Sequence, residues 1–243
     1  MNNFGQENPR IVNPDAAGMN SFFRKIYTYV AMAMLVSAAT AYVGVTFFAP
    51  QIAAIFSSTL GTLLLFGLML AFVALMSRKA FTNPGAAFGM LMGYAVMNGA
   101  FFSVIGLTVN AGIIGMAFIS TAFLYVGMAA YGWLTKKSMA SMGTFLMGAL
   151  IALIVASLIN MFFFNSIVYL LTSVVGIIVF ALLTAYDVNT IKQQYEQYLA
   201  VGQGDMRIEQ GLAISGALNL YLDFINMFMY FIQLFTAFGG DNR

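Results

Sequence analysis

GLAISGALNLYLDFINMFMYFIQLFTAF, residues 211–238, decides the fold. Its one charge is Asp223. Ser215, Asn219, Asp223, Asn226, Tyr230 and Gln233 recur at spacings of 4, 4, 3, 4 and 3, the repeat of a single helix face. From Ser215 to Gln233 this stripe is about 27 Å long at 1.5 Å per residue, most of a bilayer core. A helix of this kind cannot turn its stripe towards lipid. It is expected inside a bundle, bonded to neighbouring helices or lining a path.

Working outward, the chain reads as a series of such segments. Apolar residues make up 61% of it and charged residues 7%, against about 45–50% and 25% in soluble domains. Seven stretches match the roughly 20 apolar residues a spanning helix needs: 26–49, 57–76, 85–107, 111–134, 140–164, 166–188 and 211–238. The fold class is therefore all-α, a polytopic membrane protein with seven transmembrane helices. The breaks at 108–110 and near Asn165 are short and predict tight hairpins. The connection 189–210 is long and polar, with Gln193, Gln194, Gln197 and Gln203. Residues 1–25 read as a polar cytoplasmic tail without the pattern of a cleaved signal peptide, 26–238 as the membrane domain, and 239–243 as an external tail.

Basic residues set the expected orientation. Arg10, Arg24, Lys25, Arg78, Lys79, Lys136, Lys137, Lys192 and Arg207 fall on one side of the seven segments, and only Arg243 on the other. This predicts the N-terminus inside and the C-terminus outside. Trp133, the only Trp, sits just before Lys136 and Lys137, where an interfacial anchor belongs.

Composition also narrows the chemistry. There is no Cys and no His, which removes disulfides, thiol catalysis, Cys/His metal sites and Ser–His or Cys–His triads. Metal binding would need oxygen ligands, which favours hard cations such as calcium. The net charge of +2 is too small a footprint for nucleic acid.

All charged residues except Asp187 and Asp223 lie in tails, connections or segment ends. No basic residue lies inside a segment. An ionised carboxylate in hydrocarbon is costly, so such residues face a cavity, a partner or a pathway. The sixth segment has a weaker polar set in Ser173, Gly176, Thr184 and Asp187. Asn98 and Asn160 read as interhelical glue. Gly85, Gly89 and Gly93, spaced by four, would let another backbone approach closely. The eighteen Met are scattered, which fits soft packing rather than a copper site. No internal repeat is visible, which weighs against an inverted-repeat transporter.

Two segments, Leu183-Thr184-Ala185-Tyr186-Asp187-Val188-Asn189 and Gly216-Ala217-Leu218-Asn219-Leu220-Tyr221-Leu222-Asp223-Phe224-Ile225-Asn226, resemble the two signatures of the Bax inhibitor-1-like, or transmembrane BAX inhibitor motif, family. The resemblance covers about Arg24 to Phe238 and is to bacterial members, which implies the bacterial cytoplasmic (inner) membrane. It implies a bundle with the seventh helix central and six around it. It also implies a pH-sensitive calcium leak gated by an aspartate pair, which by motif position is Asp187 and Asp223. Some members place an arginine against the pair from the inner end of the second helix. Here the register puts Met76 or Ser77 there, with Arg78 beside them.

The expected function is thus a proton-regulated cation leak. Two nearby carboxylates in a low-dielectric site cannot both ionise cheaply and would share a proton. The shared proton would bridge segments six and seven; its loss would loosen the bridge and expose oxygen ligands to calcium. Asp187 and Asp223 would be the pH sensor and the calcium ligands. Ser215, Asn219, Asn226, Tyr230 and Gln233 would form the pore-lining stripe. Partners are the bilayer, calcium ions and protons. No cofactor is expected beyond calcium as permeant ion. The alternative is a non-transporting membrane regulator of stress responses or membrane proteolysis, docking a membrane-protein partner on the Gly85–Gly93 ridge. An intramembrane aspartyl protease also needs two carboxylates, but Leu220-Tyr221-Leu222 precedes Asp223 where such enzymes carry Gly-x-Gly, and no proline follows Pro84. No enzymatic activity is expected. A retinal protein is excluded because the seventh segment has no Lys. One tension remains: with ends at 188 and 211, the two aspartates lie at different depths. They meet only if the sixth helix runs on past Val188 or the seventh starts later than Gly211.

Overall fold

The computed structural model describes residues 16–163, 165–201 and 205–239. They form eight helices and, among the described residues, no strand: α1 (Ala16–Phe47), α2 (Ala49–Ser57), α3 (Thr59–Lys79), α4 (Pro84–Thr108), α5 (Ala111–Leu134), α6 (Ala140–Phe163), α7 (Ser166–Ala200) and α8 (Met206–Gly239). Six of them, α1 and α4 to α8, are long and apolar enough to cross a membrane. α3 occupies the segment expected at 57–76.

Local chemistry sets the helix starts. Asn83, Asn110 and Asn165 are N-caps whose side-chain oxygens accept from Ala86 N at 3.1 Å, Gly112 N at 2.8 Å, and Ile167 N and Val168 N at 2.9 and 3.1 Å. These caps satisfy otherwise orphaned helix donors. They explain why the breaks at 108–110 and 165 are so tight.

α8 is the central helix. Two thirds of its spanning window (67%) is buried, against 11% for α6. It packs against α7, α5, α1 and α4, while α6 packs on α7 and α3 on α4 and α2. Rings fix the centre: Phe224 meets Tyr125 edge-on at 5.4 Å, and Phe228 meets Phe102 at 5.7 Å. Close approaches occur at glycines other than the predicted ridge. A Cβ on Gly132 would collide with the Ala185 backbone, and one on Gly99 with Ser37 O. Gly89 has no neighbour within 4 Å, and Gly85 has only the Asn83 cap. Gly93 alone of that ridge meets a neighbouring helix, through Phe72.

Several boundaries differ from the sequence expectation. Of the polar stretch 189–210, residues 189–200 and 206–210 are helical. α7 runs on to Ala200 and α8 begins at Met206. Ala16–Lys25, expected in the tail, are the first turns of α1, and 50–56 lie in α2. The reason is the same at both ends of the chain. Met19, Phe22, Phe23 and Ile26 are spaced 3, 1 and 3, and Val188, Ile191 and Tyr195 are spaced 3 and 4; all are buried. Phe22 stacks on Tyr195 at 4.2 Å, Phe23 meets Trp133 edge-on at 4.6 Å, and Lys25 pairs with Glu209 at 3.8 Å. Amphipathic turns thus build a collar beyond the apolar segments. Residues 1–15 of the expected tail, Gln203, and residues 240–243 lie outside the described residues.

Candidate functional site

The site is built by the antiparallel pairing of α7 and α8. Ile191 lies against Gly216, Thr184 against Asp223, Gly176 against Tyr230, and the Ser173 hydroxyl donates to Gln233 Oε1 at 3.3 Å. This register sets Asp187 level with Leu220, about 4.5 Å along the axis from Asp223. The helical extension of α7 past Val188 therefore removes the depth mismatch. Asp187 and Asp223 are brought within electrostatic reach of each other. Asp187 is half-buried, while Asp223 is buried at 4% exposure.

α5 completes the site. Tyr125 is buried and acts electrostatically with both aspartates. Asp223 Oδ2 and Tyr125 Oη are the two buried side-chain polar atoms without a hydrogen-bond partner among the described residues. Elsewhere in the bundle buried polar groups are paired: Ser37 Oγ and Tyr221 Oη lie 2.6 Å apart, and Asn98 Nδ2 donates to Tyr94 O at 3.1 Å. An orphaned buried polar atom costs about 1–3 kcal/mol. Two of them, on the packed helices α5 and α8, mark a place where stability is given up.

Asn189 holds the floor of the site. Its Oδ1 accepts from Met139 N at 3.0 Å and from Gln193 Nε2 at 2.6 Å. Its Nδ2 faces the carbonyls of Gly132, Thr135 and Lys137 at 3.2–3.4 Å. The loop between α5 and α6 is thereby clasped to α7 about half a turn below Asp187. Lys192 adds a bond to Trp133 O at 3.3 Å and lies 5.9 Å from the centre of its ring. Sequence reading quoted Asn189 within a signature but gave it no role, and it missed Tyr125 altogether. A lone Tyr in an apolar segment carries no periodic signal.

The polar stripe of α8 is only partly enclosed. Gln233 and Tyr230 face α7, and Asn226 Nδ2 turns back to Leu222 O at 2.8 Å. Ser215 is half-buried, and Asn219 is exposed. The expectation that the whole stripe turns inward is therefore corrected. The side of α8 facing the bundle centre is Tyr221, Phe224 and Phe228. Asn219 lies on the circumference between Gly211, which meets Ala80 and Phe81, and Asp223, which meets α7. α3 leans on α4 and leaves that flank of α8 open. Arg78 is exposed at the end of α3, while Met76 points into the core. Among the described residues, no group of three or more acidic, His or Cys side chains could hold a metal ion.

The chain matches the family model described as "Inhibitor of apoptosis-promoting Bax1" over residues 19–240. It is 35% identical to the protein YrjE of Lactococcus lactis over 97% of this chain and 98% of that one. It is 33% identical to a membrane protein of Streptococcus pyogenes over 90% and 93% of the two chains. It is 31% identical to YbhL of Escherichia coli, named an inner membrane protein, over 93% and 94%. With the family model spanning nearly the whole chain and both aspartate-bearing segments lying in the matched region, this integral membrane protein belongs to the Bax inhibitor-1 family.

Proposed function

We propose that the protein is a pH-controlled leak for calcium, set in a bacterial inner membrane with its N-terminus and basic loops in the cytoplasm and its C-terminus outside. The observation that carries this reading is the cluster of Asp223 Oδ2 and Tyr125 Oη, both buried and unpartnered, beside the half-buried Asp187. Two carboxylates about one helix turn apart in apolar surroundings share a proton more cheaply than they hold two charges. With one proton on the pair a single charge remains, and α7 and α8 stay packed. Without it, like charges push the helices apart and turn carboxylate oxygens towards the open flank at Asn219. Two carboxylates and the Thr184 hydroxyl fall short of the 6–8 oxygens of a tight calcium site. That shortfall supports transit rather than storage. Flux should therefore rise as pH rises through the titration of the pair.

Calcium entry into liposomes containing the purified protein tests this. Asp187→Asn and Asp223→Asn should each flatten the pH response, and the double variant should add little, because the pair titrates as a unit. Equal flux from Asp223→Asn and the parent at every pH would defeat the reading. A non-transporting regulator is the second reading, supported by Gly85 and Gly89, which turn outward from α4. A membrane-protein partner crosslinked through α4, together with zero calcium flux, would favour it.

A further inference from the structure

α1 packs on α4 and α8, and α5 packs on α7 and α8. The two helices touch at the basic end of the bundle, where Phe23 meets Trp133. Beyond that contact they part around an open groove of about 880 Å³, lined from α1 by Arg24, Tyr27 and Leu35 and from α5 by Tyr125, Ala129 and Trp133. Both helices are membrane spans by length and composition, so the groove opens sideways into lipid. From Arg24 to Leu35 it runs about 16 Å along the helix at 1.5 Å per residue, a length suited to an acyl chain.

The groove is chemically polarised. Its long body is apolar or aromatic apart from Thr28, and its one cation, Arg24, sits with Asn20 at the end beside the interfacial Trp133. The neighbouring acid, Glu209, is engaged by Lys25 at 3.8 Å, and that is the ion pair found among the described residues. Arg24 is exposed and lines the groove. A guanidinium presents a planar fork of donors that matches two phosphate oxygens. A second observation is independent of charge. Tyr125 lines the groove, is 7% exposed, and has no hydrogen-bond partner for its hydroxyl. Its ring rests edge-on against Phe224 of α8. The Tyr125 ring thus walls the groove against α8, while its hydroxyl is buried beneath that wall.

We propose that this groove is a selective site for an anionic phospholipid, with an acyl chain laid between Tyr27 and Ala129 and its headgroup phosphate on Arg24. The site does not depend on the leak reading, and its test does not measure flux.

Trp133 makes the test direct, because it is the only Trp in the chain and lines the groove. The protein is placed in vesicles of mixed phosphatidylcholine and phosphatidylglycerol in which one lipid at a time carries brominated acyl chains, and quenching of Trp133 is followed against mole fraction. Brominated phosphatidylglycerol should quench with an apparent affinity about fivefold above that of brominated phosphatidylcholine, the increment expected for one basic contact at a membrane surface. Arg24→Gln should abolish the preference and Arg24→Lys retain part of it. Lys136→Gln, an equal charge change outside the groove, should leave it intact. Ala130 also lines the groove, and Ala130→Phe, which narrows it without adding a Trp, should weaken quenching by both lipids. Equal quenching by the two headgroups would overturn the proposal and leave annular lipid only. So would a preference that survives Arg24→Gln, or quenching untouched by Ala130→Phe.

Discussion

Asn189 shows how much one side chain carries at the basic end of the bundle. Its amide spans from α7 to the loop between α5 and α6, and Met139 N–H is buried with Asn189 Oδ1 as its acceptor at 3.0 Å. Asn189→Ala removes that acceptor and leaves three loop carbonyls without their donor, at about 2–3 kcal/mol by the cost of stranded buried groups. The thermal midpoint in detergent should fall by several degrees. A midpoint within error of the parent would mean the loop finds other partners. Asp223 and Tyr125 show the opposite economy, since their unpartnered atoms weaken the fold where they stand. These residues also mark what the sequence could and could not disclose. Asp223 stood out because a charge within an apolar run is rare. Asp187 stood out for the same reason, with Thr184 beside it in a weaker polar set. Tyr125 and Asn189 matter through groups far away in sequence, and no local pattern carries that information.

At the scale of elements, hydropathy located the apolar lengths well. Segment 111–134 coincides with α5, 85–107 differs from α4 by one residue at each end, and 140–164 from α6 by one. It failed where helices leave the bilayer. The last turns of α7 and the first of α1 and α8 are amphipathic rather than apolar, so a search for continuous apolar runs stops short of them. Packing between elements was partly hidden as well. Hydrophobic burial does not drive helix association inside lipid; close backbone approach does. The approach occurs at Gly132, where α5 lies on the α7 backbone at Ala185. That contact is two residues from Asp187 and holds Tyr125 over the pair. Gly132→Leu should force α5 away from α7, at about 1–3 kcal/mol. The same substitution at Gly89, which has open space around it, should be close to neutral. Equal thermal shifts for the two variants would show that the α5–α7 contact is not what sets their spacing.

At the scale of the whole molecule, the direction of α1 and α4 decides how often the chain crosses the membrane. Ser37 donates to Ala95 O at 2.9 Å, Ser103 donates to Ala41 O at 3.3 Å, and Gly106 meets Val45. Contacts that advance together along both helices mean that α1 and α4 run parallel. The chain must therefore return between them. α3, 21 residues long, covers about 32 Å at 1.5 Å per residue, enough for a hydrocarbon core of roughly 30 Å. Six longer spans plus this return would give an odd number of crossings, the parity that the distribution of Lys and Arg predicts. The lack of Cys in the chain makes this measurable without background. Single-cysteine variants Ser138→Cys, in the loop between α5 and α6, and Thr108→Cys, at the far end of α4, are exposed positions at opposite ends of the bundle. In intact cells a membrane-impermeant maleimide should label Thr108→Cys and spare Ser138→Cys until the membrane is opened. Ser57→Cys, where α2 ends, should label from the same side as Thr108→Cys, and Lys79→Cys, at the end of α3, from the side of Ser138→Cys. Labelling of Ser57→Cys and Lys79→Cys from one side would show that α3 does not cross. The chain would then have an even number of passages, and its two termini would share a compartment.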